Sequence, residues 1–251
     1  MNVDVLLSPA EYETASPGRF ADHVCVVFDV LRATSVVVTG LAHGVRSFIP
    51  VLTIEEAVQW RRQQPDVLLA GERDGLRIGA ALGGGVDFDL GNSPREYQPA
   101  RVAGKDIVTT TTNGTRALRA CLGAQTVLAA ALLNLGATAQ WLQRRRPSRL
   151  LLVGAGTGHH CALEDALAAG ALLELLASAS EITEWSDAAQ VARAAYRQAA
   201  GHLHEAIAGS RNGSRLLANP DLCADVEFCL RRDVFAIVAQ MQSDGRITRA
   251  V

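Results

Sequence analysis

Short apolar runs alternate along this chain with longer stretches of helical period. The clearest run is VCVVF (24–28), too short for a helix and rich in β-branched residues, which is the pattern of a strand buried on both faces. Asp29 ends it. Arg32, Thr34 and Ser35 follow, and then an apolar stretch closed by Gly44, which suits a helix end. The same reading predicts strands over residues 2–7, 46–51, 67–71, 106–112, 126–131, 150–153 and 235–241. Helices are predicted from Thr53, where Thr at the cap and Glu56 at the third position form a capping box, to about 64, and over 134–146, 163 onward and 187–210. Residues 8–18 read as a loop and Asn212-Gly213 as a turn.

Strands and helices alternating at this spacing predict an α/β fold of three α/β/α layers around a mainly parallel, or mixed, sheet. Right-handed crossovers would then bring the strands' C-terminal ends to one edge. Residues 106–131 repeat the order of 24–51: strand, polar junction, helix, glycine, strand. This hints at duplicated βαβ units inside a single domain spanning 1–251, with a boundary between pseudo-repeated halves near 145–150. Between them, residues 71–99 carry seven glycines and two prolines and lack either period, as a lid or binding loop would.

Composition narrows the function. The 251 residues are 49% hydrophobic and 20% charged, a globular balance, and the net charge of −2 gives no basis for nucleic-acid binding. No run reaches the roughly 18 apolar residues that span a membrane, and Asp4 and Pro9 spoil any signal sequence at the start. Five cysteines without CxxC spacing predict reduced thiols and a cytoplasmic protein.

Asp29, Glu72, Thr110 to Thr112 and Gly154 all follow predicted strands, so a parallel sheet would gather carboxylates, hydroxyls, Arg32 and Arg73 on one rim. Such a rim suits a hard cation such as Mg²⁺, which takes one or two carboxylates with substrate phosphate and water, and it suits the phosphate itself. The plainer reading of Asp29 and Ser35 is an ordinary capped βα turn. The run Gly154-Ala155-Gly156-Thr157-Gly158 is not the dinucleotide fingerprint, because its third glycine comes one residue early and no acid follows at the required distance. His159-His160 is a weak metal candidate, and His202 and His204 point to different faces of a helix.

FDVLRATS (28–35), GERDGLRI (71–78), DLGNSP (89–94), TTTNGTRAL (110–118) and LEDALAAGA (163–171), in this order, resemble the 2-phosphosulfolactate phosphatase family over almost the whole chain. The resemblance implies an α/β, Mg²⁺-dependent phosphatase that hydrolyses 2-phospho-3-sulfolactate to 3-sulfolactate and phosphate, a step toward coenzyme M. Two segments depart from the family pattern: the glycine-rich 79–88, and GAGTGHHCA at 154–162 where a more basic stretch is expected.

On that reading Asp29, Glu72 and Arg32 are the catalytic residues, and Asp29, Glu72, Glu164 and Asp165 are the metal ligands. Arg32, Thr34, Ser35 and the segment Thr111, Thr112, Asn113, Gly114 and Thr115 would hold phosphate; Arg73, Asn92 and Ser93 would hold the other end of a small phosphorylated substrate. Whether Asp29 is itself a nucleophile is left open, as is the assembly, a homodimer included. A non-catalytic binder of small anions and a nucleotide-dependent oxidoreductase are the competing readings.

Overall fold

A computed structural model describes residues 1–14, 16, 18–178 and 182–250. Its strands are β1 (Asn2–Leu6), β2 (Val24–Phe28), β3 (Ser47–Pro50), β4 (Leu68–Arg73), β5 (Leu76–Arg77) and β6 (Asp106–Thr110). They continue with β7 (Thr126–Ala130), β8 (Arg149–Gly154), β9 (Glu184–Trp185), β10 (Ala239–Met241) and β11 (Ile247–Arg249). The helices are α1 (Pro9–Glu13), α2 (Ala33–Ala42), α3 (Ile54–Gln63), α4 (Pro99–Val102), α5 (Gly114–Ala120) and α6 (Leu135–Arg145). After them come α7 (Leu163–Ala177), α8 (Asp187–Ala199), α9 (Leu203–Ala208), α10 (Arg211–Leu217) and α11 (Cys223–Leu230).

The strands form one sheet in the order β5-β4-β6-β3-β11-β10-β7-β2-β8-β1-β9. Two parallel sets, β4-β6-β3 and β7-β2-β8-β1-β9, are joined by the antiparallel hairpin β10–β11. The single edge expected for all strand ends is therefore not what forms. Three successive antiparallel pairings between β3 and β7 reverse the direction, so the two sets run opposite ways. Their C-terminal ends meet all the same, because the sheet is curled. From β2 to β6 there are five strand steps, and at about 20–25° of twist each they turn the strands by about 100–125°.

The two similar segments of the sequence are interlocked. β2–α2 leads to β3 in the other set, and β6–α5 leads to β7 beside β2. Each segment's first strand thus pairs in parallel with the other's second, Val24 with Thr126 and Ser47 with Asp106. No break in the sheet falls near 145–150, since β8 lies between β2 and β1.

Side-chain alternation explains the layers. Val24, Val26 and Phe28 face one cluster with α6, α7 and α8, whereas Cys25 and Val27 face a second cluster with α2 and α5. That second cluster also takes Phe48, Ile107 and Ala70 from the other set, so α2 and α5 fill the concave side of the sheet. On the convex side, Ile49, Leu69 and Val108 pack with Ala57 and Val58 of α3. Strands buried on both faces need near-continuous apolar sequence, which is why β2 was legible.

Several elements differ from expectation for local reasons. The predicted loop at 8–18 contains α1, where the backbone N–H of Ser8 donates to Glu11. The predicted helix over 187–210 is two helices broken around Gly201. Asn212 and Gly213 are not a turn: Ser210 caps α10 by accepting from the Gly213 amide at 3.0 Å, and both residues lie inside the helix. The last predicted strand shrinks to Ala239–Met241 and pairs with β11 through a turn at Ser243-Asp244-Gly245. Thr53 caps α3 as expected, accepting from the Glu56 amide at 3.1 Å.

Helices α7 and α8 cross where a Cβ on Gly170 would overlap the carbonyl oxygen of Ala192 and lie 2.7 Å from the Tyr196 Cβ. A backbone oxygen cannot step aside as a flexible side chain can. Gly170→Ala should therefore force the helices apart and cost about 1–3 kcal/mol of stability, read as a lower midpoint in denaturant unfolding with unchanged slope.

Candidate active site

The sharp βα turn after β2 is the centre of the site. Asp29 closes it as the plainer sequence reading supposed: its Oδ1 accepts from the Ala33 amide at 3.0 Å, and its carbonyl accepts from the Thr34 amide and hydroxyl. The Leu31–Arg32 peptide bond in this turn is cis. The other carboxylate oxygen, Oδ2, has no hydrogen-bond donor among the described residues, and it faces the start of α5. A Cβ on Gly114 would stand 2.6 Å from that oxygen and 2.6 Å from the Ala33 Cβ. Glycine is thus required at 114 by the close approach of two helix N-termini.

A cleft of about 80 Å³ opens here, lined by Asp29, Arg32, Glu72, Asn92, Thr112 and Asn113. Those six were expected at the site. Asp74, Thr157, Asn212 and Arg215 also line it and were not. The cleft suits a small acid and is cramped for a dinucleotide. The Gly154–Gly158 run does not open a helix as a dinucleotide loop does, because a bridge between Thr157 and His160 follows it and α7 starts only at Leu163. From the glycine-rich loop, Asp74, Gly75 and Asn92 reach the cleft and residues 79–88 do not. His159 is exposed and pairs with Glu13 at 3.5 Å, away from the cleft lining.

Most of the other expected residues build the walls. The Ser35 hydroxyl donates to the Val30 carbonyl, and the Thr34 hydroxyl bridges the Asp29 backbone. Thr111 and Thr115 each accept from the other's amide. Arg73 donates to the Glu72 carbonyl and to Thr110. Glu72 accepts from the Thr112 amide and hydroxyl at 2.8 and 2.9 Å and from the Gly75 amide at 2.8 Å, which ties β4 to the β6–α5 junction.

Glu164 and Asp165, expected as metal ligands, do not line the cleft, and both carboxylates are occupied by protein donors. Asp165 accepts from the Val30 and Gly156 amides, and so joins the loops after β2 and β8. Glu164 accepts from Asn212 at 2.6 Å and Ser210 at 3.2 Å. Among the described residues no three acidic, histidine or cysteine side chains converge as a metal cluster.

Asp225 is the residue that sequence reasoning missed most. It is fully buried on α11 and accepts from Arg32 at 2.6 Å, Ser93 at 2.6 Å and Arg95 at 2.7 Å. Arg32, only 3% exposed, also donates to the Gly75 carbonyl at 2.6 Å. Its direction into the cleft is set by two elements far away in sequence. A signal was present: Asp225 stands four residues before Cys229 and beside Val226, on the buried face of its helix.

Burial and neighbouring acids act on the carboxyls together. Desolvation, then Glu72 and Glu164, push the Asp29 carboxyl up to about 7 against the opposing Ala33 hydrogen bond. Asp165 is likewise raised well above the usual range, by burial first and then by Asp29 and Glu164.

The family model described as 2-phosphosulpholactate phosphatase matches residues 10–244 of the chain. Among curated relatives, the probable 2-phosphosulfolactate phosphatase of Thermotoga petrophila is 38% identical over 241 residues, covering 94% of this chain and 93% of its own. That of Symbiobacterium thermophilum is 39% identical over 222 residues, covering 88% and 91% respectively. That of Clostridium tetani is 32% identical over 244 residues, covering 97% and 98%.

Two outcomes follow from the buried charges. A carboxyl raised from about 3.9 to near 7 makes the folded state bind the extra proton, so stability is lost as pH rises between those values and stays lost above them. In chelator, Asp29→Asn should therefore be more stable than the parent at pH 8, on the order of a few kcal/mol, with the gap closing toward pH 4; thermal unfolding across pH reads this. Asp225→Ala should cost about 3–5 kcal/mol in denaturant unfolding, because it strands the buried Arg32 guanidinium without a counter-charge.

Proposed function

Because this chain belongs to the 2-phosphosulfolactate phosphatase family, we propose that it hydrolyses 2-phospho-3-sulfolactate to 3-sulfolactate and phosphate with the help of Mg²⁺. The observation that carries this reading is the charge of the cleft. Three carboxylates, Asp29, Glu72 and Asp74, line it against two arginines, Arg32 and Arg215, and Arg32 is already paired with Asp225. A phosphate dianion would enter a site with no net positive charge. A divalent cation would correct that, and the unpartnered Asp29 Oδ2 is an oxygen ligand of the right kind.

Magnesium needs only one or two protein carboxylates when substrate phosphate and water complete its shell. Asp29 would hold it. When bound, it would neutralise the charge that gathers on the phosphate oxygens during transfer. The chain's own groups do the rest. Arg32, its plane fixed by Asp225 and the Gly75 carbonyl, presents its remaining edge to phosphate oxygens. Glu72 holds the Thr112 amide and hydroxyl, and with them the β6–α5 junction, against the cleft. Asn92 and Asn113 line the same wall and supply neutral polar contacts. Hydrolysis breaks the ester P–O bond and adds water across it; the hydroxyl goes to phosphorus and the proton to the leaving oxygen. The reading extends to a cytoplasmic setting and to a step toward coenzyme M.

The test is phosphate release from 2-phosphosulfolactate, 2-phospholactate and ethyl phosphate, each with Mg²⁺ and with chelator. Release from the sulfonated ester that falls at least a hundredfold in chelator is expected. Release from the other esters alone would move the substrate, release unaffected by chelator would remove the metal, and no release from any would favour a binder of small anions.

A further inference from the structure

Arg215 is a cation at the cleft that the wall-building contacts leave without a task. It lies on α10, one turn beyond Asn212. That helix is fixed firmly: Asn212 donates to Glu164 and to Thr157, both at 2.6 Å, and Leu216 is buried in the core. Asn212 and Arg215 are three residues apart and so share a helix face, and both line the cleft.

The two cleft arginines are held in different ways. Arg32 is 3% exposed and committed to Asp225 and Gly75. Arg215 is exposed, and among the described residues no hydrogen bond or ion pair engages it. Of the three residues expected to receive the far end of the substrate, Asn92 lines the cleft but carries no charge, and the other two are otherwise occupied. Arg73 is spent on Glu72 and Thr110 and does not line the cleft, and the Ser93 hydroxyl is spent on Asp225.

We propose that Arg215 is the specificity-determining residue of this site: its guanidinium binds the second acidic group of the substrate, carboxylate or sulfonate, while the ester phosphate lies toward Arg32 and Asp29. The proposal rests on the phosphatase reading. A guanidinium fork matches either planar or tetrahedral oxyanions with paired N–H donors. The carboxylates of the cleft repel a second anion everywhere else, so an acid-bearing ester has one favourable orientation. An ester without the second acid leaves Arg215 idle and gains nothing from it.

The experiment compares the parent, Arg215→Met and Arg215→Lys on four esters: 2-phosphosulfolactate, 2-phospholactate (carboxylate only), the phosphate ester of 2-hydroxyethanesulfonate (sulfonate only) and ethyl phosphate. Arg215→Met should lower the preference for 2-phosphosulfolactate over ethyl phosphate, as a ratio of kcat/KM, by about ten- to a hundredfold, mainly through KM. Arg215→Lys should recover part of it. Whichever singly acidic ester loses more identifies the group that Arg215 reads. Equal losses on all four esters, or no loss, would overturn the proposal. If the parent releases phosphate from none of them, the phosphatase reading fails separately, and calorimetric titration with 3-sulfolactate decides for Arg215. Binding at least tenfold weaker in Arg215→Met upholds the proposal; equal affinity, or no binding by the parent, overturns it.

Discussion

Two helices begin almost in contact, and that approach governs the molecule. The N-terminus of α2 and that of α5 meet where Gly114 lies against Ala33 and Asp29, with room for no side chain. For the helices to meet, the two parallel strand sets must curl toward each other, and α2 and α5 must fill the concave side. Asp29 stands at that meeting point, with one oxygen given to the turn and the other left to the cleft. Its neighbours Glu72, Glu164 and Asp165 crowd charge around it. Such a cluster is costly to bury, and a bound cation would relieve that cost. Fold and chemistry are linked at this carboxyl.

The site divides into parts that hold and parts that are left free. Asp225, Glu72 and Asp165 each accept two or more donors, at least one of them from a distant segment, and behave as struts. Among the described residues, the Asp29 Oδ2 and the Arg215 guanidinium are left without internal partners at the cleft, as are the Asp74 and Asn92 side chains. A rigid first layer with a few uncommitted groups is the arrangement by which binding energy is directed to a ligand instead of to reorganising the protein.

What the sequence could show follows from how local each signal is. β2 was legible because burial on both faces demands an unbroken apolar run, and the Thr53 cap because its bond spans three residues. The strand junctions named Asp29, Arg32, Glu72 and Thr112, and these four line one cleft. They were silent on the direction of the strand sets, which is decided by a hairpin at the far end of the chain. The resemblance made Glu164 and Asp165 metal ligands, whereas both carboxylates are met by protein donors, which a helix's first turn does not reveal in sequence. Asp225 and Asn212 come from short helices and make their contacts 48 to 193 residues away, and Arg215 reaches the cleft only because it shares a helix with Asn212. The family resemblance made up for this where motifs were dense and left the looser C-terminal segment unread.

The hairpin Ala239–Arg249 has a role beyond closing the sheet. It follows every other strand of the sheet in sequence, yet it sits in the middle, between β3 and β7. Until it arrives, both of those strands are open edges with unpaired N–H and C=O groups, the kind of template that recruits other chains. The interlocked pairing of β2 with β7 and of β3 with β6 likewise leaves no early segment able to close on itself. Contacts so distant along the chain make for slow, high-contact-order folding. The nascent protein is therefore most vulnerable to self-association while the other strands have been made and this hairpin has not.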